Sequence, residues 1–491
     1  MTFMVKKSKI TIVLLLMCIP LVIAAAGIKP VAAYGAIIQY SPDGQGYIQD
    51  ISAGSGKYLM HLQGSPYAMG YQQGWLGGES VERLTEINWR KAIVLGMLAA
   101  DNDMLTIIMT DIMDLDRLTD VVGSVVSSAD LQAVCAESGD DLDTLLDKMF
   151  TLCGILVDVN QQYVPSEYIT EMQGVADGAT DAGYDVTYEE VLLLNCGMDA
   201  MLALGYPVVE PLLIWMNLFE YLSCSGFVAK GSATVSGHTI MGRHYQFTDF
   251  VTHEEMMMME FVPSSGNRFM STSCPGFIGV TSAMNVQGLG IGNDMVPAGD
   301  CDPAQLGMGT LLTCRYVMQY KNQLTDAINF IKNSVRGCSW IYGIGDGKNG
   351  ETGGCALETS DTYCYTRSMS YTFKWYEIFH TDQIEKKSDL VTYTNHYIYY
   401  QMNSKADSTI INDSDWRYET LTNLALAAYG TLSIETGSTL INYLRPGGPT
   451  DYYGSDTSQS VKCAVTCWDL TTLQAKALYG HYDDVWVSTS L

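Results

Sequence analysis

Basic side chains are scarce in this chain of 491 residues: 27 Lys and Arg stand against 54 Asp and Glu, a formal net charge of −27. Such a balance repels polyanions, so nucleic-acid partners, anionic membrane surfaces and polyanionic substrates are excluded. Histidine is scarce too, at 7. No cluster of His, Asp or Glu at ligand spacing accompanies Cys463 and Cys467, so no metal and no other cofactor is expected, and both read as packing thiols. Beyond the N-terminus no apolar run is long and charge-free. Glu210, Pro211 and Glu220 interrupt Tyr206–Leu222, which reads as core or loop. There is no internal repeat, and no low-complexity tract beyond Met256–Met259, four methionines expected to pack both faces of a buried strand. What is plentiful is hydrophobic content, 47% of the chain, ample for a large core.

Lys6, Lys7 and Lys9 precede an apolar run from Ile10 to Ala26, and Val31-Ala32-Ala33 offers small residues for cleavage. This is the order of a secretory leader over residues 1–33, so the protein is expected to be exported to the cell envelope or beyond. The alternative is an uncleaved N-terminal anchor, since a span needs roughly 20 apolar residues. Of the 13 cysteines, Cys18 leaves with the leader. With Cys224 reserved for chemistry an odd number remains, so at least one thiol stays free or pairs between chains.

From Pro66 to Tyr221 the apolar spacing is helical: Gly70–Leu84, Trp89–Leu98, Asp103–Leu118, Leu142–Val157 and Glu167–Ala182 are predicted helices, with Thr187 a cap before Tyr188. Gly123–Asp140 reads as a loop. After Ser223 the texture becomes strand pairs around Gly/Asn/Ser turns: Met256–Val262 with Arg268–Ser273, Phe277–Ala283 with Leu289–Asn293, Ser339–Ile344 with Cys355–Thr359, Lys462–Asp469 with Gln474–Tyr479. Helices Leu306–Tyr320, Leu324–Val335 and Trp416–Tyr429 intervene. The pattern predicts an α+β fold, two antiparallel sheets stacked face to face with helices outside.

Cys224 carries the chemistry. It opens a strand, Cys224-Ser225-Gly226-Phe227-Val228-Ala229-Lys230-Gly231, and a turn at Ser236-Gly237 returns the chain to Gly242-Arg243-His244-Tyr245-Gln246. Cutting Ser223–Cys224 would give Cys224 a free α-amine next to its thiol. With a reference pKa of about 7.7–8.0, that amine can act as the general base, and no catalytic histidine is needed.

These residues resemble the β-chain start of the isopenicillin N acyltransferase family, cysteine N-terminal-nucleophile hydrolases related more distantly to bile salt hydrolase, penicillin V acylase and acid ceramidase. The resemblance runs in order from about residue 58 to the end: Gly64-Ser65-Pro66-Tyr67 with Gly70 and Gly74; Gln173-Gly174 with Gly178 and Asn195; Gly276-Phe277-Ile278-Gly279; Arg336-Gly337-Cys338-Ser339-Trp340; Leu357-Glu358-Thr359; and Thr394-Asn395-His396. It implies an αββα sandwich, with residues 34–223 a mainly helical α-chain and residues 224–491 a β-chain that remains associated with it after autocleavage. It further implies Cys224 as nucleophile, Arg243 as the arginine beside it, Asn293 as the oxyanion-hole asparagine, Asn395 as a second asparagine near the site and Arg417 as the late arginine. The substrate class is then a small acyl amide. Where the family usually has Asp three residues after the arginine, this chain has Gln246, which can accept a hydrogen bond from the amine but supplies no charge. Asp249 is close enough in sequence to substitute.

The sequence therefore predicts an exported, self-processing cysteine amidase or acyltransferase. Two other readings stay open. One is an uncut papain-like protease pairing Cys224 with His244 or His396; the other is a non-catalytic exported binding protein that keeps the fold. His396 itself reads as structural.

Overall fold

The computed structural model describes residues 35–85, 115–136, 142–215, 224–246, 255–348, 353–369, 387–406, 412–444, 463–480 and 484–491. The leader, Ser223 and Asp249 lie outside them, as do predicted helix Trp89–Leu98 and most of Asp103–Leu118.

Ten strands form the larger sheet, in the order β1 (Ile37–Tyr40), β2 (Tyr47–Asp50), β3 (Tyr58–Gly64), β6 (Met257–Pro263), β7 (Phe269–Ser273), β8 (Ser282–Asn285), β9 (Leu289–Met295), β10 (Trp340–Asp346), β11 (Gly353–Thr359), β12 (Cys364–Ser368). Six form the smaller: β13 (Leu390–Tyr393), β4 (Cys224–Gly231), β5 (Gly237–Gln246), β14 (Cys463–Asp469), β15 (Gln474–Gly480), β16 (Val487–Ser490). The sheets stack face to face. Helices α1 (Pro66–Arg83), α2 (Leu115–Val122), α3 (Ser128–Ala136), α4 (Leu142–Asn160), α5 (Ser166–Asp181) and α6 (Tyr188–Trp215) belong to the segment before Cys224. Helices α7 (Thr310–Tyr320), α8 (Leu324–Asn333), α9 (Tyr400–Lys405), α10 (Asn412–Ala427) and α11 (Ile434–Asn442) follow it. One apolar core joins the larger sheet to the first helical layer, a second lies between the sheets, and a third joins the smaller sheet to α10 and α11. This is the αββα sandwich the sequence predicted.

The methionine run shows the alternation directly: Met257 and Met259 pack in the helix-side core, Met256 and Met258 in the core between the sheets. Thr187 caps α6 reciprocally with Glu190, which accepts from the Thr187 backbone N–H at 2.8 Å.

The segment before Cys224 also supplies β1–β3, which extend the larger sheet, with β3 parallel to β6, the one parallel pairing among the described strands. Two local expectations fail for physical reasons. Gly123–Asp140 contains helix α3, which buries Leu131 and Val134. Phe277–Thr281 is no strand, because Asn195 accepts from the Ile278 and Gly279 N–H groups at 2.9 and 3.0 Å and donates to the Gly276 carbonyl at 2.9 Å. These bonds take backbone groups that a strand ladder would use.

Several motifs behind the family resemblance prove to be packing devices. A Cβ on Gly70 or Gly74 would sit 1.9–2.0 Å from carbonyl oxygens of α5, and one on Gly174 or Gly178 would strike α1 in the same way. All four glycines let these two helices touch backbone to backbone.

Candidate active site

Strands β4 and β5 form a hairpin in which Cys224 faces Tyr245 and Gly226 faces Arg243. Alternation sends Cys224, Gly226 and Val228 toward the larger sheet, and Ser225, Phe227 and Ala229 toward the helices behind. The surroundings agree, since Val228 packs between the sheets while Phe227 and Ala229 join the outer core. Cys224 is buried, at 8% exposed.

Two arginines and an asparagine converge on it. Asn395 Oδ1 accepts from the Cys224 backbone N–H at 2.7 Å and from Arg417 Nη2 at 3.0 Å, while its Nδ2 donates to the Met295 carbonyl at 2.7 Å. Arg417 Nη1 donates to Ser225 Oγ at 2.9 Å and to the Cys224 carbonyl. Arg243 reaches the thiol with its guanidinium and donates to the carbonyls of His244 and Asn293. Each of these side chains is almost fully buried, so the attractions act in a medium of low effective dielectric.

A carboxylate missed by the sequence reading completes the group. Asp294 Oδ1 lies 3.1 Å from Arg243 Nη2, and both residues are buried. Burial opposes the Arg243 charge, but Asp294 and Cys224 hold its pKa above the ordinary arginine range. Burial pushes the Asp294 carboxyl up to about 6, against the pull of Arg243 and Arg417. A guanidinium fixed beside a thiol favours the thiolate. The signal for Asp294 was the phase of β9: it lies two residues beyond Gly292, and a Cβ on Gly292 would sit 2.8 Å from Arg243 Cδ.

Asn293, by the same alternation, faces the other way. It pairs with Tyr342, whose hydroxyl hydrogen-bonds Thr310 at the start of α7. Its carbonyl touches Arg243, while its amide belongs to the helix-side face, where Nδ2 is buried without a hydrogen-bond partner among the described residues. The structure thus brings together Cys224, Arg243, Asn395 and Arg417, and joins Asn293 to them by its backbone. Gln246 is the last residue of β5, paired with Cys463 and adjacent to Tyr245.

The histidines sit elsewhere. His244 is opposite Ser225 and Val465, on the face turned away from the thiol. His396 Nδ1 engages Ser414 Oγ at 2.8 Å and Thr394 Oγ1 at 3.2 Å. Among the described residues no His/Cys/Asp/Glu group could hold a metal, and no helix is long and apolar enough to cross a membrane.

The family model for acyl-coenzyme A:6-aminopenicillanic acid acyl-transferase matches residues 234–442, a span that contains Arg243, Gln246, Asn293, Asn395 and Arg417 and begins after Cys224. An uncharacterized protein of Archaeoglobus fulgidus is 42% identical over 451 residues, covering 91% of this chain and 68% of its own. Among solved structures, the chain is similar to the conjugated bile acid hydrolase of Clostridium perfringens (10% identity, 55% of this chain and 92% of that one, TM-score 0.36). It is also similar to the penicillin V acylase of Agrobacterium tumefaciens (10% identity, 55% and 86%, TM-score 0.35). A third is the N-acylethanolamine-hydrolyzing acid amidase ortholog of Caenorhabditis elegans (11% identity, 50% and 93%, TM-score 0.34). Residues 234–442 of the chain belong to the acyl-coenzyme A:6-aminopenicillanic acid acyl-transferase family.

Proposed function

We propose that this protein is an exported, self-processing cysteine amidase or acyltransferase acting on small linear amides. The observation that carries the reading is the placement of Cys224 at the start of an inner strand, its backbone nitrogen held by Asn395 Oδ1 and its thiol beside the Arg243 guanidinium. In the precursor, the thiol attacks the Ser223 carbonyl, the Ser223–Cys224 C–N bond breaks to leave an α-amine on Cys224 and a thioester to Ser223, and water then hydrolyses that thioester to a Ser223 carboxylate and the free thiol. Asn395 Oδ1, itself held by Arg417 and by the bond from Nδ2 to the Met295 carbonyl, is placed to accept a hydrogen bond from that amine. The amine then takes the thiol proton as the thiolate attacks an amide carbonyl, and returns it to the departing amine. The thioester left on Cys224 passes its acyl group to water or to a second amine. Asp294 supplies beside Arg243 the buried negative charge that a glutamine at position 246 cannot.

The two chains stay together after the cut. That reading is supported by β3 pairing with β6, by Asn195 binding the 276–279 loop, and by the bidentate ion pair of Glu171 with Arg315 at 2.9–3.1 Å. All three contacts join the segment before Cys224 to the segment after it.

The test is the intact mass, under denaturing and reducing conditions, of residues 34–491 with Cys224 present and as Cys224→Ala. Two fragments meeting at Ser223–Cys224 in the first sample alone are expected. One unbroken mass in both samples would remove the amine base and with it this reading.

A further inference from the structure

Asn395, which holds the Cys224 nitrogen, sits in the link 394–399 between β13 and α9. The link is irregular, yet it is buried from Thr394 to Ile398. Backbone groups of a buried irregular segment must find partners elsewhere. At the far end of the link, the Ile398 and Tyr399 N–H groups donate to Glu358 Oε1 and Oε2 at 3.2 and 3.0 Å. Beside them the Tyr397 hydroxyl donates to the Thr359 carbonyl at 2.6 Å. Just before the link, Arg367 Nη2 donates to the Thr392 carbonyl at 2.9 Å. The same guanidinium gives its Nε to Glu358 Oε1 at 2.8 Å. One ion pair therefore fastens both ends of the stretch that carries Asn395.

The strands set the pair up. Glu358 lies opposite Tyr365 and Ala356 opposite Arg367, so Glu358 and Arg367 are diagonal neighbours on one face of β11 and β12. Ala356 packs in the core between the sheets, which places that face inward, and both partners are buried. Three N–H donors converge on Glu358. A carboxylate offers two acceptor oxygens to them, whereas a carboxamide offers one and turns an NH2 toward a donor.

We propose that Glu358, paired with Arg367, is a positioning residue of the Cys224 site: it fixes the 392–399 stretch and, through Asn395 Oδ1, sets where the Cys224 nitrogen lies. The inference rests on the amine-base chemistry proposed above. In the precursor that nitrogen belongs to the Ser223–Cys224 peptide; after the cut it is the α-amine that takes the thiol proton.

The experiment compares processed wild type with Glu358→Gln and with Glu171→Gln. The latter breaks an equally buried ion pair that makes no bond to the 394–399 link. Each protein is treated with p-nitrophenyl acetate, which acetylates the Cys224 thiol and releases p-nitrophenolate, over a range of pH. Glu358→Gln is expected to slow acetylation about 100-fold, as a small misplacement of a reacting group does. It should also lower the midpoint at which the rate rises with pH, because the amine loses an acceptor that favours its protonated form. The other ionisable groups facing the amine, Arg243, Arg417, Asp294 and Tyr393, are the same in every variant. Glu171→Gln, measured below its own melting temperature, is expected to stay within about threefold of the wild-type rate with the wild-type midpoint. Equal slowing in the two variants, a wild-type rate in Glu358→Gln, or a wild-type midpoint there overturns the proposal. Should Glu358→Gln not fold or stay uncut, Arg367→Lys decides, since it keeps the charge but loses the planar fork that spans Glu358 and the Thr392 carbonyl. Slower acetylation with a lowered midpoint in Arg367→Lys supports the proposal, and a wild-type rate overturns it. A wild-type protein that is uncut and unacetylated marks the failure of the underlying amine-base reading instead.

Discussion

Arg315 and Arg243 are both buried beside a carboxylate, and they are finished in opposite ways. Arg315 makes a bidentate pair with Glu171, donates to Gln319 and the Ile278 carbonyl, and is packed by the rings of Phe261 and Phe269 at 4.6 and 4.8 Å. Every part of that fork has a partner, which is how a buried ion pair repays its desolvation. Around Arg243 the accounting does not close. Asp294 faces it at 3.1 Å, yet among the described residues neither Asp294 oxygen has a hydrogen-bond partner, nor does Arg243 Nε, nor the Tyr393 hydroxyl. The first centre holds two chain segments together. The second keeps polar groups in reserve where a thiol, two arginines and an asparagine meet, and unsatisfied buried groups of that kind mark a working site.

The contrast can be broken first at its structural end. Glu171→Ala leaves Arg315 charged and unpaired, so unfolding by urea should show a loss of about 3–5 kcal/mol. A loss under about 1 kcal/mol would mean that the pair is not what joins α5 to α7. At the other centre, Gly343→Ala forces a methyl group into the Tyr393 ring. Overpacking of that sort costs about 1–3 kcal/mol, and acetylation of Cys224 should fall with it; full activity with normal stability would disprove that contact.

Asp294→Asn tests the electrostatics more gently. Its folded pKa of about 6 lies above the ordinary 3.8. The native state therefore holds the proton more tightly than the unfolded chain, and the group's stabilising contribution is complete below pH 3.8 and lost as pH rises through about 6. Melting temperatures of wild type and Asp294→Asn should draw together, or cross, between those limits; a constant offset would place the carboxyl outside a buried site. The smallest effect is expected at Lys476, whose ion pair with the exposed Glu435 lies on the surface. Lys476→Ala should change stability by less than about 1 kcal/mol.

Much of this was legible in the chain because periodicity reports what a residue packs against. The β4–β5 hairpin, the methionine strand and the paired helices were all readable from alternation and three-to-four spacing. What the sequence hid was long-range. Strands β1–β3 owe their existence to the edge offered by β6, nearly 200 residues later by the pairing of Leu59 with Met258, and no local signal announces such a partner. The 276–279 loop gave up its strand because of one distant side chain, Asn195. At the site, Cys224, Arg243, Asn395 and Arg417 could be named from order and residue type. Asp294 and Tyr393 could not, since neither stands in a motif. Their importance comes from which face of β9 and β13 they occupy, and from two glycines on different sheets, Gly226 and Gly343, that leave the Tyr393 ring its space.

The central claim is that Cys224 is an acyl-accepting N-terminal residue. Its most direct test is to treat residues 34–491 with p-nitrophenyl acetate, then measure fragment masses and map the acetyl group by peptide sequencing. A fragment that begins at Cys224 and carries one hydroxylamine-labile acetyl on its thiol is the expected result. An uncut chain with no acetyl at Cys224 would contradict the account.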